Sequence, residues 1–260
     1  MTTGFGSDGS QTTSEIVDLT VKGDNKCNNW PGFPISVAGA TGGLIGDTVI
    51  ICGGWGGSYI YYYDECYSLT SEKATLVTYM SVGRDSAASI VLNDNILWVI
   101  GGYNWGFLAS TEYVTLTETM LGPDLPMALG EHAMVAINST CSMVIGGLSD
   151  YSGSSASTFF FDHNEDEWIN GPSLIQGRRF HAAGMVTNEE SDEHFVAVTG
   201  GIGSGDSLDS TEILQDGEWV QGKINNIICY ILENFLVPKY NYNINYTNYV
   251  LKATFTSNDF

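Results

Sequence analysis

Trp98-Val99-Ile100-Gly101-Gly102 is a short apolar run of β-branched and aromatic residues that stops on a glycine doublet, and the chain repeats it. Ile50-Ile51-Cys52-Gly53-Gly54, Met143-Val144-Ile145-Gly146-Gly147 and Ala197-Val198-Thr199-Gly200-Gly201 do the same, at spacings of 48, 45 and 54 residues. A period near 50 is the mark of a repeat architecture. Such runs bounded by glycine are strands leaving through backbone geometry that a Cβ would obstruct.

The surroundings of each doublet repeat as well. About ten residues downstream come Glu65-Cys66-Tyr67, Glu112-Tyr113-Val114, Thr158-Phe159-Phe160-Phe161 and Glu212-Ile213-Leu214. Upstream lie small or apolar runs, Ser36 to Ala40, Ser86 to Leu92, His132 to Ile137 and His181 to Val186. Polar turns such as Asn93-Asp94-Asn95 separate them from the doublet strands. A fourth strand carries Trp30, Trp168 or Trp219, and aliphatic residues replace the tryptophan in the second and third units. Four short strands per unit make one blade, and a blade must stack against neighbours to cover its faces.

These residues resemble the Kelch family, whose repeat reads apolar strand, Gly-Gly, Tyr/Glu strand, Trp, then Arg and His. The resemblance covers residues 15–222 and implies an all-β propeller of four complete blades plus a half blade at 15–30. Residues 1–14, rich in Gly, Ser and Thr, are expected to be a flexible leader. After Gly222 the composition changes: residues 223–260 have no glycine or tryptophan, but eight asparagines and five tyrosines. That stretch reads as a non-Kelch tail, consistent with a truncated isoform, and it offers no doublet to complete the half blade. The ring is therefore expected to stay open, with self-association through its exposed blade edges.

The formal charge of −21 repels nucleic-acid backbones and anionic lipid; it would tolerate a basic partner, and solubility alone accounts for it. No run reaches the roughly 20 apolar residues of a membrane helix. Residues 1–14 lack the apolar core of a signal peptide. His132 and His181 recur at the start of a blade and read as structural. Asp162-His163-Asn164-Glu165-Asp166 opens like a calcium loop, but Glu167 stands where the loop needs glycine, leaving a solvated turn. His163 and His194 form no ligand set of the kind implied by the copper-oxidase relatives that resemble galactose oxidase. That oxidase stays the alternative to a binding module, and no enzyme activity, cofactor or metal is expected.

Strand order places the loops after each doublet at the same end as the blade-joining segments. Those loops carry Trp55, Tyr59, Tyr103, Trp105, Phe107 and Tyr151, and the joining segments carry Arg84, Arg178 and Arg179. Aromatics and arginine dominate interface hot spots, so this end is the expected face for an unknown protein or peptide partner. Cys52 and Cys66 fall on neighbouring strands, as two buried thiols or as the disulfide that extracellular Kelch-like proteins resemble here. Asn138-Ser139-Thr140 is a glycosylation sequon at the other end, as is Asn245-Tyr246-Thr247 in the tail. Together these tilt the expected location toward secretion with the signal segment missing, the cytoplasm being the alternative.

Overall fold

The computed structural model describes residues 32–56, 61–149, 153–188 and 193–222, together with the backbone of five short strands outside those ranges. Every described element is a strand. Blade one is formed by Thr41–Ile45, Thr48–Cys52, Glu65–Leu69 and Ala74–Tyr79. Blade two follows with Ala88–Leu92, Ile96–Ile100, Thr111–Val114 and Thr119–Gly122. Blade three is Ala133–Asn138, Cys141–Ile145, Thr158–Asp162 and Glu167–Asn170. Blade four is Ala182–Asn188, His194–Thr199, Thr211–Gln215 and Glu218–Gln221. Each blade is an antiparallel meander, and the first strands of successive blades are neighbours around the axis.

Before blade one, Ser14–Ile16 pairs antiparallel with Asn28–Trp30, which is the expected half blade. In blade four a fifth strand, Lys252–Phe255, runs parallel to Ala182–Asn188. The rest of residues 1–14 and of the tail lies outside the described residues. The described blades do not close a ring.

Two registers differ from the sequence reading. The first strand of blade one is Thr41–Ile45, not the run Ser36 to Ala40. Gly42 and Gly43 hide this strand from any apolar pattern, yet they suit it. A Cβ on Gly42 would strike the Ile50 carbonyl, and one on Gly43 would strike Val91 of the next blade. In the third strand it is Tyr67, not Glu65, that corresponds to Glu112, because Cys52 pairs with Cys66 as Ile100 pairs with Thr111. The doublets behave as expected: Gly101 and Gly102 have φ of 60° and 105°, and a Cβ on Gly102 would lie 2.6 Å from the Asp85 carbonyl oxygen.

The apolar core lies between blades. Ile50, Cys66 and Met80 of blade one meet Leu97 and Val99 of blade two. Trp98 and Ile100 meet Met134, Val144 and Phe161 of blade three. Val135 and Met143 meet Ala183, Val198 and Trp219 of blade four. Burying one such side chain contributes about 1.5–3 kcal/mol, so each blade depends on its neighbour. The buried indole N–H of Trp98 donates to Thr111 Oγ1 at 2.9 Å, which removes the penalty of an unpaired donor.

Polar chemistry also links the blades, and it alternates from joint to joint. Arg84, 1% exposed, leaves blade one and donates to the carbonyls of Gly101 and Ser110 and to Glu112, 2.6 Å away in blade two. Glu112 also accepts from the backbone N–H groups of Ser81 and Val82. Arg178, 0% exposed, repeats the pattern with Gly200, Ser210 and Glu212, and Glu212 accepts from Ile175 and Gln176. At the other two joints the arginine position holds Val37 or Leu129, and the glutamate position holds Tyr67 or Phe159. There the first of the two residues that would donate to the carboxylate is Pro34 or Pro126, which has no N–H. The first donor, the acceptor and the counter-charge are present or absent together.

Candidate functional site at the doublet end

The segments joining the blades pair with the residues that follow the doublets. Ala38 bridges Trp55, Asp85 bridges Tyr103, Gly130 bridges Leu148, and Arg179 bridges Ile202. Both kinds of loop therefore share one end, as the strand order requires. Nearer the axis, four left-handed residues link blade to blade. The N–H of Ser86 donates to Gly39, that of Glu131 to Ser86, and that of Phe180 to Glu131, at 2.9, 2.9 and 3.0 Å. Their φ values are 66° for Gly39, 51° for Ser86, 57° for Glu131 and 52° for Phe180.

Onto this frame blades one and two project a group of aromatic rings. Tyr62 stands edge-on to Tyr103 at 5.8 Å and to Trp105 at 5.6 Å, and Tyr103 stands edge-on to Phe107 at 5.2 Å. Trp105 is 72% exposed and sits in the left-handed region at φ 54°. The turn is held by Asn104, whose side-chain amide donates to the Gly83 carbonyl at 2.7 Å. A tryptophan in that conformation is uncommon, and here it coincides with an indole that faces outward.

Beside the rings lies an unbalanced carboxylate. Asp85 exchanges both backbone hydrogen bonds with Tyr103, and its Oδ1 is buried without a hydrogen-bond partner. Burial, with Glu131 as a second cause, pushes its pKa up to about 7. Burial also raises Glu131, against the pull of Arg179 at 2.7 Å. Tyr62 is raised by burial and then by Asp85 and Tyr103.

The expected binding residues are thus sorted by the fold. Trp105 is exposed, while Trp55, Tyr103, Phe107 and Arg179 are half-buried at this end. Arg84 and Arg178 are corrected: they sit inside the joints with their charges matched to glutamates, and they reach no surface. Tyr59 and Tyr151 lie outside the described residues, as does Asn245. Tyr62, Asp85 and Glu131 escaped the sequence reading. The repeat register could have found Asp85, since it occupies in blade two the place that Arg179 holds in blade four.

At the opposite end Asn138 is exposed in the hairpin of blade three, and its Oδ1 accepts from Thr140 N–H and Oγ1. The structure joins Cys52 and Cys66 as a disulfide, with Cα atoms 4.1 Å apart. Non-reducing peptide mapping of protein secreted from a eukaryotic host is expected to recover residues 52 and 66 in one linked fragment. Two alkylatable thiols there would contradict it. His163 shares a 2.8 Å hydrogen bond with Ser142, and His194 shares one with Thr187. Among the described residues, no three His, Cys, Asp or Glu side chains gather as a metal set. No described helix is long and apolar enough to cross a membrane.

No protein-family model matches the chain, and no curated protein sequence matches it. Solved structures do. One titled "Structure of YjhT" superposes with a TM-score of 0.72 at 15% identity, over 84% of this chain and 79% of that one. The fold is a β-propeller. At that identity the likeness extends to the architecture and no further.

Proposed function

We propose that the chain is a Kelch-type interaction module, without enzymatic activity of its own, that binds a protein or peptide across the doublet end. The observation that carries this reading is Trp105, an exposed indole presented on strained backbone within a group of tyrosines. Large, rigid aromatics on a braced surface are the side chains that anchor interfaces. The paired Cys52 and Cys66 and the exposed Asn138 sequon support an oxidising, secretory compartment.

Photo-cross-linking tests the face. A benzoylphenylalanine at position 105 is expected to capture a partner from the native host, and one at position 138 is not. With that partner, Trp105→Ala is expected to weaken binding by about 2 kcal/mol, roughly thirtyfold. Its melting temperature should stay near wild type, because the indole is mostly exposed. Asn138→Gln should bind normally. Capture from 138 alone, with full binding by Trp105→Ala, would place the interface at the wrong end.

A further inference from the structure

The junction between blades one and two has a carboxylate that no described cation answers. The chain contains three arginines, and each is bound to a glutamate: Arg84 to Glu112, Arg178 to Glu212 and Arg179 to Glu131. Lys73, the lysine whose side chain is described, lies in the hairpin between Leu69 and Ala74 at the far end of blade one. Asp85 therefore has no cation among the described side chains, and Glu131 adds to its negative potential. Tyr103 pairs with it through the backbone, Tyr62 lies within reach of its charge, and Trp105 packs on Tyr62, and the faces of these rings carry the negative side of an aromatic quadrupole. A whole-chain charge of −21 adds an attraction for the same sign of partner.

We propose that this junction is a cation site, which takes a lysine or arginine side chain of a basic peptide against the rings of Tyr62, Tyr103 and Trp105, with Asp85 as its counter-charge. The inference rests on the doublet end being the binding face, and it adds the chemistry of the occupant. The aliphatic stem would lie along the aromatic surface, and the charged head would supply the cation that Asp85 lacks. An acidic or phosphorylated peptide would meet Asp85 and Glu131 with repulsion.

The test uses the full chain and three short acetylated, amidated peptides that differ only in a central lysine, norleucine or glutamate. Binding is read from the indole N–H signal of Trp105, assigned with Trp105→Phe. The lysine peptide is expected to shift that signal, and the other two are not. Asp85→Asn is expected to weaken the lysine peptide about fivefold, a share of the range for a partly desolvated cation–aromatic contact. The asparagine keeps the shape and removes an uncompensated charge, so the variant is expected to fold. Glu218→Gln, which removes one exposed charge from blade four, separates site binding from general attraction and should change nothing. Equal binding of the norleucine peptide, an unchanged Asp85→Asn, or no shift at all would overturn the cation site. None of these touches the wider reading, which fails separately if cross-linking captures its partner from position 138 alone.

Discussion

Arg84→Leu alone is expected to lower the unfolding free energy by about 3–5 kcal/mol, the usual result of removing one partner of a buried ion pair. Glu112 would remain, fully buried, with two backbone N–H donors and no cation. The triple change Arg84→Leu, Glu112→Phe and Ser81→Pro is expected to restore most of the loss, to within about 1–2 kcal/mol of wild type. The chain itself supplies the template, since Leu129, Phe159 and Pro126 hold the same three positions at the next joint. The ion pair costs desolvation that its Coulomb attraction only roughly offsets, so an apolar joint of matching shape is a fair exchange. The proline matters because Glu112 leaves behind the N–H of Ser81. Urea unfolding of the single, double and triple variants measures each step. A triple variant as unstable as the single would show that the two kinds of joint are not interchangeable.

Acid is expected to weaken the fold through His132 and His181. Both residues are buried and wedged between glycine doublets: the ring of His132 faces Gly101 and its Cβ faces Gly147, and the ring of His181 faces Gly146 and its Cβ faces Gly201. Burial alone lowers His132 to about 4. Burial, then Arg178 and His132, lower His181 to about 3. Below the ordinary histidine value of about 6.5 the unfolded chain binds protons that the folded chain refuses. Stability is therefore complete above that pH and falls as pH drops toward the folded values, by about 3 kcal/mol or more for each ring. Asp85, raised to about 7, works in the opposite direction, since it is more easily tolerated once protonated. A difference measurement removes its contribution. His132→Ala with His181→Ala copies Ala87 and Ala40, which occupy the same position in blades two and one. Between pH 7 and pH 4.5 the wild type is expected to lose several kcal/mol more than this variant in urea unfolding. Parallel pH curves would mean that the rings find proton acceptors as the fold relaxes.

The doublets, their period and the tryptophan strands were enough to read four blades and the half blade at 15–30, because strand alternation and glycine geometry are local properties. The end shared by the doublet loops and the joining segments was also legible, since it follows from counting antiparallel strands. What each side chain does at that end was not. Arg84 and Arg179 look alike in sequence, each an arginine within two residues of the glycine that opens a joining segment. One is swallowed by a joint because Glu112 waits opposite it across a blade boundary, and the other stays at the mouth beside Glu131. That pairing joins residues 28 apart at one joint and 48 apart at the other, distances at which sequence pattern carries no information. The strand Thr41–Ile45 was missed for a related reason, because its glycines are dictated by Ile50 and Val91 rather than by their own neighbours. Sequence by itself determined the blades, since each is a local meander. Tertiary structure alone decided which charges were buried, which indole was left outside, and that Asp85 stands without a cation among the described side chains, because those outcomes depend on how one blade meets the next.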